Sequence, residues 1–247
     1  MSVQKSPAEA QFTIALNWKV TLLCLLTLPV LLTLGFWQLD RAEQKQQQQA
    51  QLTETLALPP ARLTQDNASG LREYRRLILS GRYLRDRNWL LDNRHRDGQV
   101  GYEVVTPFEL EGGAVVLVNR GWVPAPARRT ERPDPEAPEG AVTLFAEWIE
   151  PSDHPLLDGR NTEEGWPKVI LAIEPEAMET QLGQPVMERY ARLEAGSRGA
   201  LVTDWPDTEV SATKHTAYAV QWFAMALALV LWFILANTNL WVLWRRR

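Results

Sequence analysis

Few side chains in this sequence are suited to chemistry. It has three histidines and a single cysteine in 247 residues. His215 stands where a charged stretch gives way to an apolar run. An ionisable group at membrane level is expensive and tends to be functional. On a helix, His215, Tyr218, Trp222 and Met225 share one face, at spacings of three, four and three residues. Neutral imidazole is a common metal ligand and the usual protein ligand of haem iron. The same residues also suit a plainer role, with Tyr218 and Trp222 as an interfacial belt and His215 closing the helix end. The residues alone leave both readings open.

The other candidates are weaker. His95 lies in Asn93-Arg94-His95-Arg96-Asp97-Gly98, a charged, turn-like stretch that reads as surface. Asp153, His154 and Asp158 match no metal-ligand spacing and read as a polar loop. No H-E-x-x-H, G-x-S-x-G or phosphate-cradling Gly-rich loop is present, so the chain is expected not to be an enzyme. Cys24 has no partner cysteine, which excludes an intrachain disulfide and a thiolate cluster.

The elements that must position His215 are two uncharged runs, Val20 to Leu39 and Thr216 to Ala236. Each has the roughly 20 residues needed to cross a hydrocarbon core. The first is too long for a secretory h-region and lacks a small-residue cleavage site, so it reads as an uncleaved anchor. The expected order is a tail over 1–17, transmembrane helix 18–39, an extracytoplasmic domain 40–214, transmembrane helix 215–236 and a tail over 237–247. Arg245, Arg246 and Arg247, with Lys5 and Lys19, place both termini in the cytoplasm by the positive-inside rule. The central domain is then periplasmic and the location a bacterial inner membrane. Asp40 to Lys214 carries 21 Lys and Arg against 29 Asp and Glu, a balance that disfavours nucleic acid.

If the two helices pack, their outer ends can hold a planar apolar ligand with anionic groups. Arg41 or Lys214 would face the carboxylates and Trp37 would offer a flat surface. Ala224 and Ala228, four apart, would allow close helix contact. Asp40 to Glu54 contains no Pro or Gly and can prolong the first helix until Pro59-Pro60 breaks it.

Between the helices, β-branched and aromatic runs predict strands at 74–84, 88–93, 101–110, 114–119, 142–150, 166–173 and 187–193. Glu111-Gly112-Gly113 predicts a hairpin turn. Residues 174–182 predict a short helix ending at Gly183. Arg128 to Gly140, rich in Pro and charge, predicts an exposed loop. Asn119-Arg120-Gly121-Trp122 ends a hydrophobic strand, where Gly121 would supply a backbone angle barred to other residues. The fold class is α+β: two transmembrane helices flanking a mostly antiparallel, barrel-like β domain.

Three stretches together resemble the surfeit locus protein 1 family. They are Leu34-Gly35-Phe36-Trp37-Gln38-Leu39-Asp40-Arg41 with Lys45; Leu91 to Arg94, Gly98 to Tyr102, Thr106-Pro107 and Val116 to Pro124; and His215 to Phe223. Their order covers nearly the whole chain, and Asn119-Arg120-Gly121-Trp122-Val123-Pro124 is the most specific piece. The resemblance implies an assembly factor for haem–copper cytochrome c oxidase that binds haem a and assists its insertion into subunit I. It implies His215 as the iron ligand, with Lys214 standing where family members usually carry Asn. Tyr218, Trp222, Trp37, Arg41 and Lys214 are the expected cofactor-binding neighbours. Subunit I, the lipid bilayer and, as a candidate, haem A synthase are the expected partners. Ligation by one His215, or by two in a homo-oligomer, is expected, because Cys24 is too deep and Met225 about 15 Å along the helix. The alternative reading is a membrane-anchored sensor or binding protein with an extracytoplasmic ligand domain.

Overall fold

The structure, a computed structural model, describes residues 13–128, 131–151, 165–205 and 211–239. The chain divides into two compact units, 1–50 with 208–247, and 51–207.

The first unit is a pair of antiparallel helices. Helix α1 (Trp18–Ala57) begins after Asn17, whose Oδ1 accepts the Lys19 N–H at 3.1 Å and so caps the first turn. It keeps its course past Pro29 and through the Gln-rich stretch, as the lack of further breakers predicts, and ends before Pro59-Pro60. Helix α3 (Thr213–Asn237) is the second apolar run. Both satisfy the length and hydropathy of a membrane span. Leu22, Leu25, Leu26, Val220, Leu227 and Leu231 turn outward from them, which suits lipid and not water. The two helices mark the chain as membrane-anchored.

Both ends of the pair are tied. At one end the Asn17 N–H donates to Asn237 Oδ1 (2.6 Å) and the Ala15 N–H to the Asn237 carbonyl (2.8 Å). Toward the other, a Cβ on Gly35 would lie 2.7 Å from the Phe223 ring, so only glycine admits that ring. Phe36 meets the same ring edge-on, centroids 5.2 Å apart. Buried positions recur two or three turns apart at Cys24, Gly35 and Ala42, and at Ala219, Ala226 and Asn237. Ala224 and Ala228, expected to bring the helices together, are instead exposed. Ala219 and Ala226, five and two residues earlier respectively, hold the buried face.

The second unit is the β domain, and it is barrel-like. Its strands are β1 (Ala61–Arg62), β2 (Arg76–Tyr83), β3 (Trp89–Arg96), β4 (Gln99–Leu110), β5 (Val115–Pro124), β6 (Val142–Ile149), β7 (Lys168–Ile170) and β8 (Val186–Leu193), with helix α2 (Pro175–Leu182) before β8. The order β2-β6-β8-β5-β4 closes on itself because β2 also pairs with β4. Closure needs a close backbone approach at Gly81, where a Cβ would stand 2.0 Å from the Glu109 carbonyl oxygen. Pairing is mostly antiparallel, with β1–β2, β3–β7 and β5–β8 parallel. The interior is filled by Leu77, Leu79, Phe108, Val116, Leu144 and Trp148. The Gly112-Gly113 hairpin turn and the left-handed Gly183 cap of α2 fall where the sequence predicts them.

Three readings need correction. The charged stretch at Asn93–Gly98 is not all turn: β3 runs on to Arg96, and only Asp97-Gly98 reverse the chain. Asn119-Arg120-Gly121-Trp122 does not end its strand. It lies inside β5 as a bulge, since Glu103 faces Trp122 while Val105 faces Asn119. Of the predicted loop 128–140, the described residues 131–140 are not simply exposed. The carbonyls of Pro135 and Glu136 accept from the Arg120 guanidinium, and Ala137 is buried in the barrel core.

Candidate functional site

His215 lies in the first turn of α3, half-buried. Its Nδ1 is 2.8 Å from Oε1 of Gln38 on α1. Gln38 lies one turn beyond Gly35, and the buried Ala219 lies one turn beyond His215. Imidazole and amide therefore meet on the sides of the helices that face each other. The other expected residues lie in the same unit. Trp222 is half-buried, two turns along α3, whereas Tyr218 is 54% exposed on the flank. On α1 the Arg41 guanidinium stacks 5.8 Å over the Trp37 ring and donates to Gln44 Oε1, while Gln44 donates to Asp40. Lys214 is exposed. Met225 sits at the exposed edge of α3. Among the described residues the helix pair thus offers a half-buried imidazole, aromatic rings, and the cations Arg41 and Lys214 among others.

Gln38 is the residue that sequence reasoning missed. It belongs to the motif that leaves α1, but its type suggests no more than a polar helix end. The signal was its position: an amide near the end of an otherwise apolar run, three residues after a glycine.

His95 is exposed in β3, paired with Val100. Asp153, His154 and Asp158 lie outside the described residues. Among the described residues no three His, Cys, Asp or Glu side chains converge as a metal site. A cleft of about 630 Å³ opens on the β domain beside Gly112-Gly113, Trp148 and Met187–Arg189. Its one cation, Arg189, is already engaged by the Leu71 carbonyl and Glu150.

The β5 bulge is a structural centre. Arg120, 2% exposed, donates from Nε to the Gly199 carbonyl (2.9 Å), and from its two terminal nitrogens to Pro135 (2.9 Å) and Glu136 (2.8 Å). Burial pulls its pKa below the ordinary arginine value; the electrostatic influence of Tyr83 and of Asp134 acts the other way. Burial also raises the Tyr83 phenol, whose hydroxyl donates to the Arg198 carbonyl (2.8 Å). Across the neighbouring strands run Glu147, Arg192, Asn119, Glu103 and Arg94. Arg192 pairs with Glu147 at 2.7 Å, Asn119 donates to Glu103 at 2.6 Å, and Arg94 reaches Glu103 at 3.7 Å. Beside this row the Tyr190 phenol is pushed up to about 12 by burial and by the Glu103 carboxylate.

Two apolar helices carrying a barrel-like β domain between them in the chain, with an imidazole where the helices meet, define a membrane-anchored β-barrel protein. A family model described as the SURF1 family matches residues 25–227. The chain belongs to the SURF1 family. It is 34% identical over 106 residues to a SURF1-like protein of Rickettsia felis, covering 42% of this chain and 46% of the relative. It is 32% identical over 115 residues to an uncharacterized SURF1-like protein of Mycobacterium tuberculosis, covering 44% and 42%. A SURF1-like protein of Caenorhabditis elegans is 24% identical over 245 residues, covering 89% and 75%. The chain thus spans less than half the length of the first two relatives and three quarters of the third.

Proposed function

We propose that the chain is a non-enzymatic assembly factor for haem–copper cytochrome c oxidase, holding haem a at His215 and passing it to oxidase subunit I. Family membership supports the assembly role, since the family is one of oxidase assembly factors. The half-buried imidazole between the helices carries the haem reading. A bare metal ion needs three or four protein donors. A haem brings four equatorial nitrogens of its own and asks the protein for an axial ligand. The residues present therefore fit a haem better than a free ion. His215 would supply the axial nitrogen, Trp222 and Tyr218 would cover the ring, and Arg41 or Lys214 would pair with its carboxylates. Haem a is cargo here: its covalent framework would be left unchanged on this protein. Haem A synthase is the natural donor of the cargo.

The test is the absorption spectrum of the full chain purified in detergent after co-expression with haem A synthase. The parent should carry stoichiometric haem a. His215→Ala should lose it while its membrane level stays intact. Unchanged haem content and spectrum in His215→Ala would refute the site.

The proposed location is a bacterial inner membrane, with the β domain periplasmic and both termini cytoplasmic. Residues 13–17 meet 237–239 at one end of the helix pair, which supports termini on one side of the bilayer. Arg245–Arg247 support the cytoplasmic side. A cytoplasm-specific reporter fused after Arg247 should be active, and a periplasm-specific one should be active when inserted near Pro133. The opposite pattern would reverse the orientation.

A further inference from the structure

We infer that Gln38 is a positioning residue that sets the tautomer of His215. Its Oε1 faces Nδ1 of the imidazole at 2.8 Å. A carbonyl oxygen only accepts, so Nδ1 carries the proton and donates it. A neutral imidazole holds one proton, so Nε2 is left with a free lone pair. Nε2 is then the ligating atom. The inference rests on the reading of His215 as a ligand and adds the group that makes its outer nitrogen available.

The surroundings leave Gln38 this task. The nearby polar groups of α1 satisfy one another, Arg41 donating to Gln44 and Gln44 to Asp40. Lys214, the neighbour of His215, is exposed and can only donate. Phe223 against Gly35 and Phe36 locks the helix pair beyond Gln38, so the amide and imidazole are held in one register. A neutral amide also differs from the carboxylate that often serves this purpose. It orients the ring without adding a negative charge beside the lipid.

The tautomer can be read without haem. The full chain, labelled with nitrogen-15 histidine and purified ligand-free in detergent, is examined by NMR at about pH 8.5. The His215 signals are assigned by their loss in His215→Ala. The parent should show a protonated Nδ1 and a bare Nε2. Gln38→Leu should move His215 to the Nε2–H form that imidazole favours in water, and Gln38→Glu, which still accepts, should keep the parent form. An unchanged His95 signal reports that the β domain remains folded. Haem a co-purifying with Gln38→Leu should fall by about 10- to 100-fold in affinity and be restored in Gln38→Glu, the usual scale for a partner behind a ligand. A protonated Nε2 in the parent, or an unchanged His215 spectrum in Gln38→Leu, would overturn the inference. Haem retained by His215→Ala would overturn the ligand reading alone, because the tautomer is measured independently.

Discussion

Replacing Arg120 tests whether the bulged strand is a structural centre or a partner surface. Arg120→Met removes three charge-assisted hydrogen bonds, to the carbonyls of Gly199, Pro135 and Glu136. It also removes the stacking of the guanidinium 5.6 Å from the Tyr83 ring. Each bond to a charged group contributes about 1.5–3 kcal/mol. Two effects reduce the total. Burying the guanidinium costs the parent its hydration, the same burial that lowers its pKa, and the Met variant does not bear that cost. The Pro135 and Glu136 residues lie near the surface, where water can replace the lost donors. A net loss of about 3–4 kcal/mol follows, a large share of the ~5–15 kcal/mol that holds a typical domain. Arg120→Lys keeps the charge but cannot serve three divergent carbonyls with a planar fork, so it should lose about half as much. Urea unfolding of the full chain in detergent, followed by tryptophan fluorescence, measures both. Arg120→Met unfolding within about 1 kcal/mol of the parent would refute the reasoning. Loss of haem a at unchanged stability would move Arg120 to a binding surface instead.

Two further outcomes follow from the same domain. Gly121 has φ +117°, and a Cβ there would stand 2.6 Å from the Val202 carbonyl oxygen, which accepts the Trp122 N–H. Gly121→Val should therefore destabilise the domain by about 3–5 kcal/mol and lower the protein's level in the membrane; a variant that accumulates and melts like the parent yet fails to support oxidase assembly would point to a partner contact. Alkaline pH should act through Tyr190, whose folded pKa of about 12 exceeds the unfolded value near 10. The stability it contributes is complete below pH 10 and falls away as pH rises toward 12, by up to about 2–3 kcal/mol. Tyr190→Phe should make the decline of the melting temperature between pH 9 and 11.5 shallower, and an identical decline would remove Tyr190 from the account.

What the sequence by itself determined is what depends on local pattern. Twenty-residue uncharged runs leave a helix in lipid as the workable conformation, because only there are all backbone groups paired within the segment. Alternation and turn residues likewise marked most strands, the Gly112-Gly113 hairpin and the Gly183 cap. Gly121 was legible as a special backbone angle, since the residue type carries that information. The tertiary structure decided what depends on which distant residues meet. Nothing local says that β2 leaves β6 at Gly81 to close on β4. Nothing in Asn119–Trp122 says that the strand continues, because a bulge shows only against its partner strand. The Pro-rich stretch looked exposed because its anchor, Arg120, lies elsewhere in the sequence. The same holds at the candidate site. His215 stood out by its type at the edge of an apolar run. Gln38, 177 residues away, acquires a role only when the helices pair and put Oε1 against Nδ1, a relation of distance and direction that residue type cannot carry.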